Sequence, residues 1–152
     1  MQSDAEILEV VRQAFCDCKK PDHFTHYTHC RECQEHDETL RAKDVATLAR
    51  EDVGKVGWDP ICFASWDGIA YLFPALARFT LVNETRSADW YGVQLLFHLA
   101  YEREQNRLLR HFSRDQRNAV AVLLRHIKAT RYDQVTNYCE ECTLDAAIAL
   151  WS

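Results

Sequence analysis

Apolar positions recur along the chain at helical intervals, and short polar breaks separate them. Ser3 and Glu6 form a capping box ahead of Ile7, Leu8, Val10, Val11, Ala14 and Phe15, which predicts a first helix to about Cys16. A break at Lys19–Lys20–Pro21 follows, then a His-rich loop and a second helix from Cys30 to about Lys43. Asp44 is placed to cap a short helix through Val45, Leu48 and Ala49, closed by Gly54 and Gly57. Pro60 excludes a regular helix through the Trp58–Phe63 connection.

Ser65 caps the next apolar segment, Ile69, Ala70, Tyr71 and Leu72. Pro74 is expected to interrupt it, as the first-turn residue of a continuing segment through Leu76, Ala77, Phe79 and Leu81. Beyond a polar linker at Asn83–Ser87, the helical period returns with Trp90, Val93, Leu96, Phe97 and Ala100. Ser113 and Gln116 make a second capping box before a core face of Ala119, Val120, Leu123, Leu124 and Ile127. In the tail, residues 132–152, Thr143 is expected to cap a last helix through Leu144, Ala147, Ile148 and Trp151. The pattern predicts an all-α fold, one multi-helix domain over residues 1–152.

Composition agrees with that reading. A length of 152 residues suits one domain, and only four Gly and three Pro argue against a turn-rich β fold. Met1–Val11 carries Asp4, Glu6 and Glu9 and does not read as a secretory signal. No apolar run approaches the roughly 20 residues of a membrane span. Seven cysteines, an odd number without an export signal, suggest a reducing cytoplasm with thiols free or metal-bound. A net charge of −5 weighs against nucleic acid as a partner.

The chemistry concentrates in residues 23–37. His23, His26, His29, Cys30, Cys33 and His36 bring together the two side chains that zinc and similar metals prefer. On a helix, His29, Cys33 and His36 lie within about 60° of one another, and Cys30 flanks the same face. Cys30 and Cys33 stand at the helix N-terminus, where unpaired N–H groups and the dipole favour thiolates. His29 and His36 are about 10 Å apart along the axis, so one ion does not easily use both. A further ligand is then expected from elsewhere: Cys16, Cys18, His26, Cys62, Cys139 or Cys142.

Two other readings compete. Cys30–Cys33 and Cys139–Cys142 are both C-x-x-C and could be redox dithiols, although the βαβ setting of such motifs is absent. Alternatively the cysteines are free thiols and the histidines solvated residues at a helix start. A second unusual stretch, Arg103, Arg107, Arg110, Arg114 and Arg117, would form one stripe on an unbroken helix. The capping box at Ser113 is expected to cut it, which favours a solvated basic face over an anion-binding surface.

The motifs His29-Cys-Arg-Glu32-Cys33-Gln-Glu35-His36-Asp37 and Gly57-Trp58-Asp59-Pro60-Ile-Cys62-Phe63 resemble a family of small bacterial proteins catalogued as domains of unknown function. Tyr71-Leu-Phe-Pro74-Ala-Leu-Ala-Arg78 and Ser113-Arg-Asp-Gln116-Arg117 are similar too, so the likeness runs from His23 to Ile127. It implies the helical fold and the site but no reaction. It also points to Cys62, inside a matching motif, as the remote ligand ahead of the Cys139–Cys142 tail.

No H-E-x-x-H, phosphate-binding glycine loop or G-x-S-x-G is present, and the H-x-E and P-C-x-x-C order of zinc deaminases is missing. The expectation is a cytoplasmic protein with a structural zinc-type site built from His29, Cys30, Cys33, His36 and Cys62, acting by binding an unknown protein partner. The alternative is a zinc-dependent hydrolase at the same cluster, with Glu32 or Glu35 as general base.

Overall fold

A computed structural model describes residues 1–82, 90–138 and 140–152, and every regular element among them is helical. Eight α-helices occur among the described residues: α1 (Asp4–Ala14), α2 (Arg31–Arg41), α3 (Trp66–Thr80), α4 (Gly92–Ala100), α5 (Arg107–His111), α6 (Arg114–Thr130), α7 (Tyr132–Asn137) and α8 (Glu141–Trp151). Short 3-10 turns at Arg50–Val53, Pro60–Phe63 and Arg103–Gln105 join them. Helix α1 packs on α6 and α3, α6 on α8, and α8 on α4. The all-α expectation is met. The expected linker Asn83–Ser87 and Cys139 lie outside the described residues.

Both capping boxes form as their sequences require. Glu6 N–H donates to Ser3 Oγ while Ser3 N–H donates to Glu6 Oε2, and Ser113 and Gln116 exchange the same pair of bonds. The α6 face of Ala119, Val120, Leu123, Leu124 and Ile127 is buried. The arginine stripe is cut twice, by caps at Asn106 and at Ser113.

Four expectations change. Helix α3 runs unbroken through Pro74. An interior proline costs about 3 kcal/mol, but Ile69, Leu72, Phe73 and Leu76 are all buried on this helix. At about 1.5–3 kcal/mol for each such side chain, packing outweighs the break. Asp44 caps one turn rather than a helix, accepting from the Ala46 and Thr47 amides. Helix α8 starts at Glu141, before Thr143. A separate α7 stands between α6 and α8, where no helix was expected.

Two glycines place the functional region. A Cβ on Gly68, in α3, would lie 2.7 Å from the ring of Phe24. Its absence lets the buried Phe24 seat the His-rich loop on α3, and Ser65 N–H closes the contact by donating to Phe24 C=O at 2.7 Å. Gly54 has φ +62°, and a Cβ there would meet Trp58 O at 1.8 Å. That tight turn feeds directly into Asp59 and the Pro60–Phe63 turn.

Candidate metal centre

The His-rich loop is held to α2 by one carboxylate. Asp37 Oδ1 accepts from the Phe24 and Thr25 amides at 2.6 and 3.1 Å, and Oδ2 lies 2.7 Å from His23 Nδ1. Burial alone would raise this carboxyl, but the bonds from His23, Thr25 and Phe24 outweigh it and hold it below its ordinary value. Thr25 Oγ1 donates to Cys33 C=O, and His29 N–H turns back to His26 C=O. The loop therefore delivers His29 to the first turn of α2.

There the first donor group forms. Cys30 is the N-cap of α2, its sulfur accepting from the Cys33 amide at 3.4 Å. The two sulfurs stand 3.3 Å apart, and Cys33 Sγ is 3.8 Å from His29 Nδ1. The Cys33 amide, then the Cys33 thiol and His29, lower the Cys30 thiol to about 7. Cys33 moves the other way, raised first by its hydrogen bond to Cys30 and then by desolvation. His29, Cys30 and Cys33 thus offer ligand atoms within 4.8 Å of one another, a group that could hold a metal ion.

His36 and Cys62 lie elsewhere. His36 is buried one turn further along α2, with its ring 4.6 Å from that of Trp58 and 4.9 Å from that of Phe63. Its Nε2 is 3.4 Å from Glu32 Oε1 without a well-formed hydrogen bond. The Pro60–Phe63 turn does pack on α2, as a remote ligand from that turn would require. Yet Cys62 belongs to a second donor group, with Asp59 and His98, whose ligand atoms are also within 4.8 Å of one another. Glu35 pairs with Arg31 at 2.9 Å. Cys18 accepts from Gln116, and Cys16 and Cys142 are exposed.

The second group is assembled across the fold. Asp59 N-caps its turn through Oδ1, which accepts from the Ile61 amide at 2.9 Å, while Oδ2 lies 2.8 Å from His98 Nε2 on α4. Asp59 and His98 are buried, whereas Cys62 reaches solvent. Desolvation, then the Asp59 charge, push the Cys62 thiol up to about 11. Cys62 lines two cavities. One, of about 420 Å³, also meets His98, Asn106 and Arg107, and the other, of about 530 Å³, meets Asp59, Gln94 and Thr143. At the rim of the first, Glu102 and its neighbour Arg103 have φ of 59° and 47°. Such left-handed non-glycine residues cost about 1–3 kcal/mol each and tend to gather at functional sites.

Sequence reasoning had no hold on His98, one histidine in the apolar run of α4. Asp59 stood in the sequence only as a member of the Gly57–Phe63 motif, before Pro60, and not as a candidate ligand. No family model, curated protein or solved structure matches this chain. The described residues form an all-helical fold that carries two groups which could hold a metal ion, one of His and Cys and one of Asp, Cys and His. No helix among the described residues is long and apolar enough to cross a membrane.

Proposed function

We propose that this is a cytoplasmic zinc-binding protein whose His29–Cys30–Cys33 group holds a structural ion, and that it acts by binding a protein partner. The observation that carries the reading is the close set of two sulfurs and one imidazole nitrogen, at 3.3 and 3.8 Å, on a helix N-terminus. Around tetrahedral zinc, neighbouring sulfur and nitrogen ligands stand about 3.5–3.8 Å apart, so the sulfurs need to part by only about half an ångström. The Cys33 amide and thiol, with His29, lower the Cys30 thiol to about 7, which reduces the proton competition for metal. His26, whose ring is 5.9 Å from that of His29, is a candidate for the remaining position.

A partner surface is supported by Trp58 and Phe63, exposed aromatic residues that flank His36 beside the same helix. The hydrolase alternative receives less support, since Glu32 contacts His36 and Glu35 contacts Arg31. Metal analysis tests the proposal. Replacing Cys30 and Cys33 together by Ser should lower bound zinc by about one ion per chain. Unchanged zinc in that variant would overturn it.

A further inference from the structure

We propose that Asp59, Cys62 and His98 form a second metal site, independent of the first: an open three-donor site for a zinc-class divalent ion, whose free position faces the Arg107 cavity and takes a small carboxylate. The donor set is one carboxylate, one thiol and one imidazole, each a ligand type that zinc accepts. Their ligand atoms already lie within 4.8 Å of one another without any rearrangement of the backbone. The Asp59–His98 contact of 2.8 Å is a hydrogen bond. Oxygen and nitrogen ligands of a tetrahedral ion stand about 3.3 Å apart, so the ion takes the place of that hydrogen bond with a movement of about half an ångström, His98 remaining neutral with its proton on Nδ1.

A clamp between Asp59 and His98 accounts for their burial but not for the rest of the arrangement. It needs no thiol, and it needs no opening. Here the thiol is the exposed member of the three, and it lines both cavities, so an ion has a route to two buried donors. Charge favours the same reading. A carboxylate and a thiolate together balance a divalent cation, and binding releases the thiol proton to solvent.

Three protein donors leave a tetrahedral ion one position for an outside ligand, the pattern of an open rather than a closed zinc site. The cavity wall beside His98 and Cys62 carries Arg107, whose Nη2 donates to Ala64 C=O at 2.7 Å, and Asn106. A guanidinium presents several donors in a fixed fork, so the hydrogen bond to Ala64 leaves others for a carboxylate bound to the ion. The ligand is therefore anionic, small enough for about 420 Å³, and held at two points.

The test uses the full chain carrying Cys30→Ser and Cys33→Ser, so that the first group cannot contribute. Cobalt(II) added to this protein should give a thiolate-to-cobalt charge-transfer band at about one equivalent. Adding Cys62→Ser should abolish the band, and because Cys62 reaches solvent the fold should survive. Asp59→Asn, which keeps an oxygen for the Ile61 amide, should weaken cobalt binding by about 10–100-fold. Acetate should shift the visible bands of the cobalt protein, and Arg107→Gln should weaken that acetate binding about tenfold. No band, or a band that survives Cys62→Ser, overturns the metal site. A band indifferent to acetate overturns the open position. Both are distinct from failure of the first site, which is read from zinc lost in the Cys30/Cys33 variant alone.

Discussion

Two thiols in this protein stand at the start of helical turns and have opposite character. Cys30 is itself the cap of α2, so its sulfur takes the amide hydrogen bond and settles near 7. In the Pro60–Phe63 turn the cap is Asp59, whose carboxylate takes the amide, and Cys62 is pushed up to about 11, first by desolvation and then by that charge. The amide hydrogen bond that lowers Cys30 goes at the second turn to Asp59, and Cys62 is left with desolvation and a neighbouring charge, both of which raise it. The first group thereby joins an exposed thiol that is lowered, Cys30, to a buried one that is raised, Cys33. The second sets an exposed thiol that is pushed up beside two buried partners, Asp59 and His98.

The largest expected difference is in reactivity of the metal-free protein. With Cys30 lowered to about 7 and Cys62 raised to about 11, the thiolate fraction at pH 7 is expected to be larger for Cys30 by about three to four orders of magnitude. The higher intrinsic nucleophilicity of the more basic thiolate recovers part of this, leaving Cys30 faster by about a hundredfold. Peptide mapping after brief iodoacetamide treatment should show it, with the Cys30 rate levelling off above about pH 8 and the Cys62 rate still climbing. Equal rates at pH 7 would erase the contrast.

Stability should separate the groups in the other direction. Asp59→Ala removes both a cap and the partner of buried His98, and should cost about 2–3 kcal/mol in a urea melt. Cys33→Ser in metal-free protein should move the midpoint much less. If the two variants melt alike, the second cluster is not the structural junction described here.

Asp37→Ala should cost about 1–2 kcal/mol, because it leaves the Phe24 and Thr25 amides without their acceptor. The pH effect at the same residue is smaller still. Its carboxyl is held below the unfolded value, so its contribution is present above the ordinary carboxylate range and is lost as pH falls through the folded value. Backbone amide signals of Phe24 and Thr25 should therefore shift in acid, and Asp37→Asn should remove that step. A loop whose signals stay fixed in acid would have to be held by Phe24 packing alone.

The helices were legible because their information is local. Ser3 with Glu6 and Ser113 with Gln116 announce their starts, and the apolar spacing of α6 matches its buried face. The His29–Cys30–Cys33 group was legible for the same reason: its members lie within one loop and one helical turn. His98 was not. Nothing in its neighbourhood distinguishes it, and its meaning depends on Asp59, which α4 meets only in three dimensions. Pro74 misled for the converse reason, since a local breaking signal was overruled by burial contributed by other helices.

Asp37 also bears on how fast an ion can come and go. Residues 23–25 are fastened to α2 by protein–protein bonds alone, so chelation leaves most of the loop where it was. Release then requires only that a few ligand bonds break, with His29 and Cys30 both at the surface. An ion whose departure had to wait for unfolding would be trapped for the lifetime of the fold. At the proposed site the lifetime of a bound ion would be set by its ligands, and exchange with a competing thiol or another metal-binding protein would proceed on the folded molecule.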